Sequence, residues 1–311
     1  MRTSLRGSRI VAILTLSSSM VVGAVAAAAE PLLVTVDGFC ICHAPMFVGM
    51  AKGIFAKHGV DVRLTFPSTG FESLKDAAGG TAHVAAAAPA VVAQIRAQGA
   101  QLTGIFMAFG DATGRVPTDS YLAVVSRKSK GVREDHLEDL KGKTIGVPRG
   151  TIAHQYFFYA AAARGLDATR DVTIQPTPPA NLAAALQNGT VDAIVIWEPI
   201  AAQAAKTVSD ALVVYRGGNH IQFLDLRVVT PTFLAANRAT VKRYIAAFAE
   251  AAQYARLHLE EATDIVLKET KGQSRETVRT ALGMLDFDVR ISKATAQAAQ
   301  QGSSSPRRLA G

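Results

Sequence analysis

The chain has 311 residues, 49% of them hydrophobic, a formal charge of +8 and only 6% aromatic residues. That length allows two halves with cores of their own, and the apolar content excludes a disordered chain. The basic balance mildly favours anionic ligands, but no basic stripe is interleaved with aromatics, which argues against a nucleic-acid surface.

Residues 1–29 read as a secretory signal peptide. Arg2, Arg6 and Arg9 form a basic start, residues 10–16 an apolar run, and the alanines of 24–29 offer small-residue cleavage sites. Ser17, Ser18 and Ser19 cut the run short of the roughly 20 apolar residues that a membrane span needs. The three arginines supply 3 of the charge, leaving +5 for the mature chain. The expected location is the bacterial periplasm.

The apolar stretch 31–36 predicts a strand, broken by Asp37-Gly38. Phe39-Cys40-Ile41-Cys42-His43-Ala44-Pro45 then leads into a helix predicted over 46–57, with Pro45 in its first turn. A strand, a polar loop and a helix N-terminus set free N–H groups beside a crevice, which suits an anion or a polar small molecule. Both cysteines of the chain fall in this loop. In an oxidising compartment they can pair, yet on an extended segment their Cα atoms would sit near the upper limit for a bridge. The spacing therefore leaves pairing open. Cys-x-Cys-His alone lacks the ligand set of a structural zinc site, so neither a metal nor a cofactor is expected.

Further strands are predicted over 60–66, 82–87 and 102–109, alternating with helices over 71–78 and 89–98. Ala88 follows the third strand. The polar stretch 110–119 leads to a strand over 121–126, read as the crossing into a second half. There, strands over 144–147, 172–175, 191–196 and 211–215 alternate with helices over 137–140, 150–164, 181–187 and 200–208, Asn181 acting as a cap. Gly150 and Thr151 open one of these helices, and His154 lies one turn on. Trp197-Glu198 ends the strand 191–196. Residues 223–231, carrying Arg227, read as the return crossing. The rest is helical over 238–259, 261–270 and 276–285, with 300–311 as a disordered tail. This rhythm indicates an α/β fold with parallel or mostly parallel sheets. The expected division is a signal peptide (1–29), a first lobe (30–120 plus 224–290), a second lobe (121–223) and a C-terminal tail (291–311).

Several motifs together carry a resemblance. They are His43-Ala44-Pro45-Met46-Phe47-Val48-Gly49-Met50-Ala51-Lys52-Gly53-Ile54-Phe55 with Gly59-Val60-Asp61-Val62, and Asp139-Leu140-Lys141-Gly142-Lys143-Thr144-Ile145-Gly146-Val147. Gly150-Thr151-Ile152-Ala153-His154 follows, then Asn188-Gly189-Thr190-Val191-Asp192-Ala193 with Trp197-Glu198-Pro199. In this order, from about Pro31 to about Leu285, they resemble solute-binding proteins of the nitrate/sulfonate/taurine type. The resemblance implies a two-lobed periplasmic-binding-protein type II fold with two hinge crossover strands, closing on a small anionic solute. It also implies a monomer that is not an enzyme and hands its solute to the membrane permease of an ABC importer.

In open α/β sheets ligands gather outside the carboxyl ends of the strands. That rule gives Phe39, Cys40, Cys42, His43, Ala88, Gly150, Thr151, His154, Trp197, Glu198 and Arg227 as candidate ligand-binding residues. Trp197, the sole tryptophan, suits a flat pocket wall. Glu198 facing an anion would be unfavourable, which hints at a ligand with an amine or at a partner for Arg227. Arg227 has the planar fork to clamp a sulfonate or carboxylate, and a hinge salt bridge is the competing role. Members resembling this chain often have a hydroxyl residue near Ala88, which is absent here. Sulfinate desulfinases, similar to this family, use a first-loop cysteine as nucleophile, and Cys40 stands at a comparable place. Their arginine ahead of a glycine pair is matched here by Ala77. A thiamine-pyrimidine binder or a sensor domain feeding a membrane partner would also suit these motifs.

Overall fold

The computed structural model describes residues 30–36, 40–108, 119–221, 224–270, 272–285, 287–290 and 293. The expected signal peptide, Phe39, nearly all of 110–119 and nearly all of the tail lie outside them. The first half opens with β1 (Leu32–Thr35), α1 (Ala44–Ala51) and α2 (Ile54–Lys57), where the sequence predicts one helix over 46–57. The break is Gly53, at φ +66°, a left-handed turn that a residue with a side chain resists. β2 (Val62–Thr65), α3 (Gly70–Gly79), β3 (Ala85–Ala87), α4 (Pro89–Ala97) and β4 (Thr103–Met107) complete this run. Pro45 and Pro89 each lie in a first helical turn, where a missing N–H costs little. Thr69 caps α3: its hydroxyl accepts from the Glu72 N–H at 3.3 Å, while Glu72 Oε2 accepts from the Ser68 N–H at 2.8 Å.

The second half comprises β5 (Leu122–Arg127), β6 (Thr144–Val147), α5 (Ile152–Ala163), β7 (Thr173–Pro176), α6 (Leu182–Gln187), β8 (Ala193–Trp197), α7 (Ile200–Thr207) and β9 (Ala211–Arg216). The chain returns as β10 (Leu226–Val229) and continues as α8 (Pro231–Ala236), α9 (Arg238–Leu257), α10 (Leu259–Glu269) and α11 (Arg275–Gly283). α8 has no counterpart in the sequence reading, in which Pro231 ends a strand. It is capped by Thr230, whose hydroxyl accepts from the Phe233 N–H at 3.2 Å. Asn181 precedes α6 but makes no side-chain cap, because its own dihedrals are already helical.

In the first half, β1 and β2 pair in parallel, and a parallel bridge from Val34 to Val84 leads on to the sheet β3-β10-β4. The second half holds the sheet β7-β6-β8-β5-β9. Both arrangements are mixed, against the expectation of mostly parallel sheets. β10 runs antiparallel to β3 and β4, and β5 runs antiparallel to β8 and β9. These two strands enter straight from the crossovers, so no helical βαβ connection forces them parallel.

The residues just before β5 are tied to those just after β9. Buried Asp119 accepts from the N–H groups of Asn219, His220 and Ile221 at 2.9, 2.6 and 3.2 Å, and the Tyr156 hydroxyl donates to the Gly217 carbonyl at 3.0 Å. The described residues from Pro31 onward cluster as one compact unit. α1 and α2 pack on α9; Phe55 of α2 stacks on Tyr244 with ring centroids 5.9 Å apart, and Phe106 of β4 meets Phe248 at 4.8 Å. β8 is buried along its whole length. Among the described residues no helix is long and apolar enough to cross a membrane.

Candidate functional site

A cavity of about 60 Å³ lies where the two halves meet. Counted as space open to the centres of water molecules, it has room for several waters, or for a solute of a few heavy atoms. Its walls come from both halves: Cys40, Cys42, His43, Gly70, Phe71, Ala86, Ala87, Ala88 and Val91 on one side, Thr151, Ile152 and Trp197 on the other, with Leu224 and Asp225 from the return crossover. A wider concavity of about 710 Å³ belongs to the first half alone, around His83, Thr230 and Phe233. Its polar side chains are half-buried or exposed, so it lacks the dry, convergent polar groups of a binding site. The smaller cavity has them.

Helix starts converge on this space. Gly70-Phe71 open α3, Ala88 precedes α4, Thr151 precedes α5, and His43 stands directly before α1. Each start carries backbone N–H groups without partners in the helix and the positive end of its dipole. A Cβ on Gly70 would come within 3.2 Å of the Ala86 carbonyl oxygen, so glycine lets α3 begin hard against β3. Gly150, at φ +76°, is opposed across the cleft by Gln94 of α4: a Cβ there would lie 3.6 Å from Gln94 Oε1.

Cys40 and Cys42 form a disulfide with Cα atoms 5.1 Å apart. The extended geometry assumed from sequence does not hold, because Ile41–His43 turn as a 3₁₀ helix and draw the pair together. The Cys42 N–H donates to Cys40 Sγ at 3.3 Å. The two sulfurs and a His43 nitrogen lie within 4.8 Å of one another. As a disulfide, however, the sulfurs are not the thiolates that a soft cation requires.

His43 Nδ1 accepts a hydrogen bond from Arg227 Nη2 at 3.1 Å. Burial first, then the Arg227 charge, hold the His43 pKa well below its ordinary value. The ring is therefore neutral, with its proton on Nε2. Arg227 itself is fully buried, its guanidinium 5.3 Å from the centre of the Phe248 ring. Its Nη2 lies 3.1 Å from Asp225 Oδ2, while Nε and Nη1 find no hydrogen-bond partner among the described residues. Burial raises the Asp225 carboxyl above its usual range, and the Arg227 charge draws it partway back. The Thr151 hydroxyl donates to the Pro148 carbonyl at 2.7 Å, which leaves its oxygen as an acceptor.

Glu198 takes neither role offered by the sequence. Its Oε1 lies 2.5 Å from Arg216 Nη1, and its Oε2 accepts from the Ala202 N–H at 2.9 Å, in the first turn of α7. The partner of Arg227 is Asp225. His154 is buried edge-on to Phe158 at 4.9 Å and accepts from the Gly150 N–H at 3.3 Å on Nδ1. Burial, with the nearby Arg149 charge, lowers its pKa to about 4.

Of the candidate residues, Cys40, Cys42, His43, Ala88, Thr151 and Trp197 meet around the cavity, whereas Gly150, His154, Glu198 and Arg227 are not among its lining residues. Phe39 lies outside the described residues. The sequence reading passed over Gly70, Phe71, Ala86, Ala87, Val91, Ile152, Leu224 and Asp225. The carboxyl-end rule points to the stretches 70–71 and 86–87, each of which follows or ends a strand. Asp225 carries no such signal.

The NMT1/THI5-like family model matches residues 41–262. A curated Escherichia coli protein named for binding aliphatic sulfonates is 31% identical over 140 residues, covering 42% of this chain and 41% of that protein. A Bacillus subtilis protein of the same name is 25% identical over 142 residues, 46% of this chain and 42% of the other. The chain thus spans less than half the length of these curated relatives. The alkanesulfonate-binding protein SsuA of Xanthomonas axonopodis pv. citri, solved with MOPS bound, superposes with a TM-score of 0.77 at 20% identity, covering 92% of this chain and 96% of that one. The periplasmic nitrate-binding protein NrtA of Synechocystis PCC 6803 gives 0.61 at 14% identity, with 82% and 69% covered. At these identities the likeness shows the fold, a two-lobed α/β periplasmic-binding-protein architecture.

Proposed function

The chain belongs to the NMT1/THI5-like family, and from that premise we propose that it is the solute-capturing component of an ABC importer in the periplasm. The observation that carries this reading is a single cavity walled by both halves and by the return crossover. A solute that touches both walls stabilises the shut form by its differential contacts, so binding is hinge closure. The hydrogen bonds from 219–221 to Asp119 keep the two crossovers together, and the lobes (30–120 with 224–290, and 121–223) swing about them as units.

The anionic head of the solute, of sulfonate, nitrate or taurine type, faces the N-termini of α1, α3, α4 and α5. Phe71 and Trp197 supply apolar walls. The protein acts as a monomer and passes its cargo to a membrane permease. It is a binder and not an enzyme: Cys40, the one candidate nucleophile, is bonded to Cys42 and has no thiolate to offer.

A thermal-shift screen of sulfonates, nitrate, carboxylates and pyrimidines tests this, since a ligand of the folded state raises the melting temperature by mass action. At least one small solute is expected to stabilise the chain saturably and be recovered unchanged. Turnover of a sulfinate, or no stabilisation by any small solute, would contradict the reading.

A further inference from the structure

Cys40, Cys42 and His43 stand together on the cavity wall, all three buried. Each offers one donor atom, and these atoms lie within 4.8 Å of one another. Cys42 Sγ is 3.7 Å from His43 Nε2. A thiolate sulfur and an imidazole nitrogen that share one ion sit about 2.3 Å and about 2.0 Å from it, so they stand about 3.5–3.8 Å apart at tetrahedral to trigonal angles. The two are thus spaced to hold an ion between them, and it is the bond to Cys40 that withholds the sulfur. That bond closes a loop of one intervening residue, which chain entropy stabilises little.

The surroundings of His43 suit ligation through Nε2. Its Nδ1 faces Arg227 Nη2 at 3.1 Å and Asp225 Oδ2 at 3.6 Å. In the disulfide form Nδ1 accepts from the arginine, which keeps the proton on Nε2. An ion on Nε2 displaces that proton to Nδ1. There Asp225 Oδ2, buried and without a hydrogen-bond partner among the described residues, is the acceptor in reach, while Arg227 Nη2 keeps its ion pair with the same oxygen at 3.1 Å. A carboxylate behind a ligating histidine is the usual outer support of a metal site.

We propose that Cys40, Cys42 and His43, once a dithiol has reduced the bridge, form a site for a soft closed-shell cation, Cu(I) in preference to Zn²⁺. In the reduction the sulfurs of the dithiol join as a disulfide, and its two electrons and two protons pass to Cys40 and Cys42. On binding, both thiols release their protons to solvent, and the two thiolates and the imidazole donate to the ion. Three such donors satisfy Cu(I), whereas a structural Zn²⁺ takes four, and among the described residues no further cysteine or histidine lines the cavity. The site shares the cavity with the solute but does not rest on solute capture, so either can fail without the other.

The test uses the full chain, reduced with dithiothreitol, freed of it and kept anaerobic. Titrated against the coloured Cu(I)–bicinchoninate complex, it should withdraw one equivalent of copper. The disulfide form, and Cys40→Ser with Cys42→Ser, should withdraw none. His43→Gln should hold the copper at least about tenfold more weakly, since even an outer partner contributes that much. Loading should move the His43 proton from Nε2 to Nδ1, read from the nitrogen chemical shifts of the ring, and an excess of Zn²⁺ should not displace the copper. The comparison of oxidised with reduced wild type needs no variant to fold. No uptake by the reduced chain, equal uptake by the disulfide form or the serine variant, displacement by Zn²⁺, or an unmoved His43 proton would each overturn the proposal.

Discussion

Removing the Asp225 carboxylate should strand a cation in the core of the first half. Arg227 is fully buried, and among the described residues two of its nitrogens have no hydrogen-bond partner and its nearest counter-charge is Asp225 Oδ2 at 3.1 Å. At that distance, with an effective dielectric constant near 20, the pair is worth about 5 kcal/mol of Coulomb attraction before desolvation. Breaking a buried pair from one side typically costs about 3–5 kcal/mol, so Asp225→Ala should lose that much stability. Arg227→Met should cost less, about 1–3 kcal/mol, because the abandoned carboxyl can take a proton whereas a guanidinium cannot release one. Its carboxyl is already raised by burial, which makes that escape easier. The double variant should recover much of the loss, with a coupling of about 3 kcal/mol in urea-unfolding curves followed by circular dichroism. If the single variants each stay within about 1 kcal/mol of wild type, or their effects simply add, Arg227 is not a dry charge held by Asp225 and the reasoning fails.

Two further outcomes follow. His154 titrates near 4 when folded, against an ordinary value of 6.5, so the folded state binds fewer protons there. Its contribution to stability is therefore complete above the ordinary value and lost as pH falls toward the folded one, by about 3 kcal/mol in all. Relative to wild type, His154→Phe should flatten the decline in urea midpoint between about pH 8 and about pH 4, and an unchanged slope would contradict the assignment. The Cys40–Cys42 bridge closes a loop of one intervening residue, so chain entropy limits its stabilisation to about 1.5 kcal/mol. Cys40→Ser with Cys42→Ser should lower stability by no more than that, and a loss several times larger would mean that the bridge organises the start of α1.

Much of the fold was legible because its signals are local. Alternation in Val62–Thr65, the apolar run ending at Trp197, and glycine or proline punctuation at Pro45, Pro89 and Gly189 each mark an element without help from distant residues. What could not be read is what neighbouring strands do to one another. Strand direction in the two sheets depends on where β5 and β10 insert, which no run of residues encodes. Gly53 reads as an ordinary glycine until its positive φ separates α1 from α2. The candidate site divides in the same way. Cys42, His43, Thr151 and Trp197 lie at strand-to-helix junctions and were reachable by rule. Asp225 reaches the cavity only because β10 is inserted between β3 and β4, beside residues more than a hundred positions earlier. Glu198 and Arg227, the boldest charges on paper, are taken up by Arg216 and Asp225.

The claim on which the rest depends is that the solute sits between the halves, against Trp197. The chain has one tryptophan, so its emission reports on that wall alone. Titrating a stabilising solute while following tryptophan fluorescence beside calorimetry should give one saturable emission change, with the stoichiometry and affinity of the heat signal. Binding heat without any change in Trp197 emission would put the solute elsewhere and contradict the account.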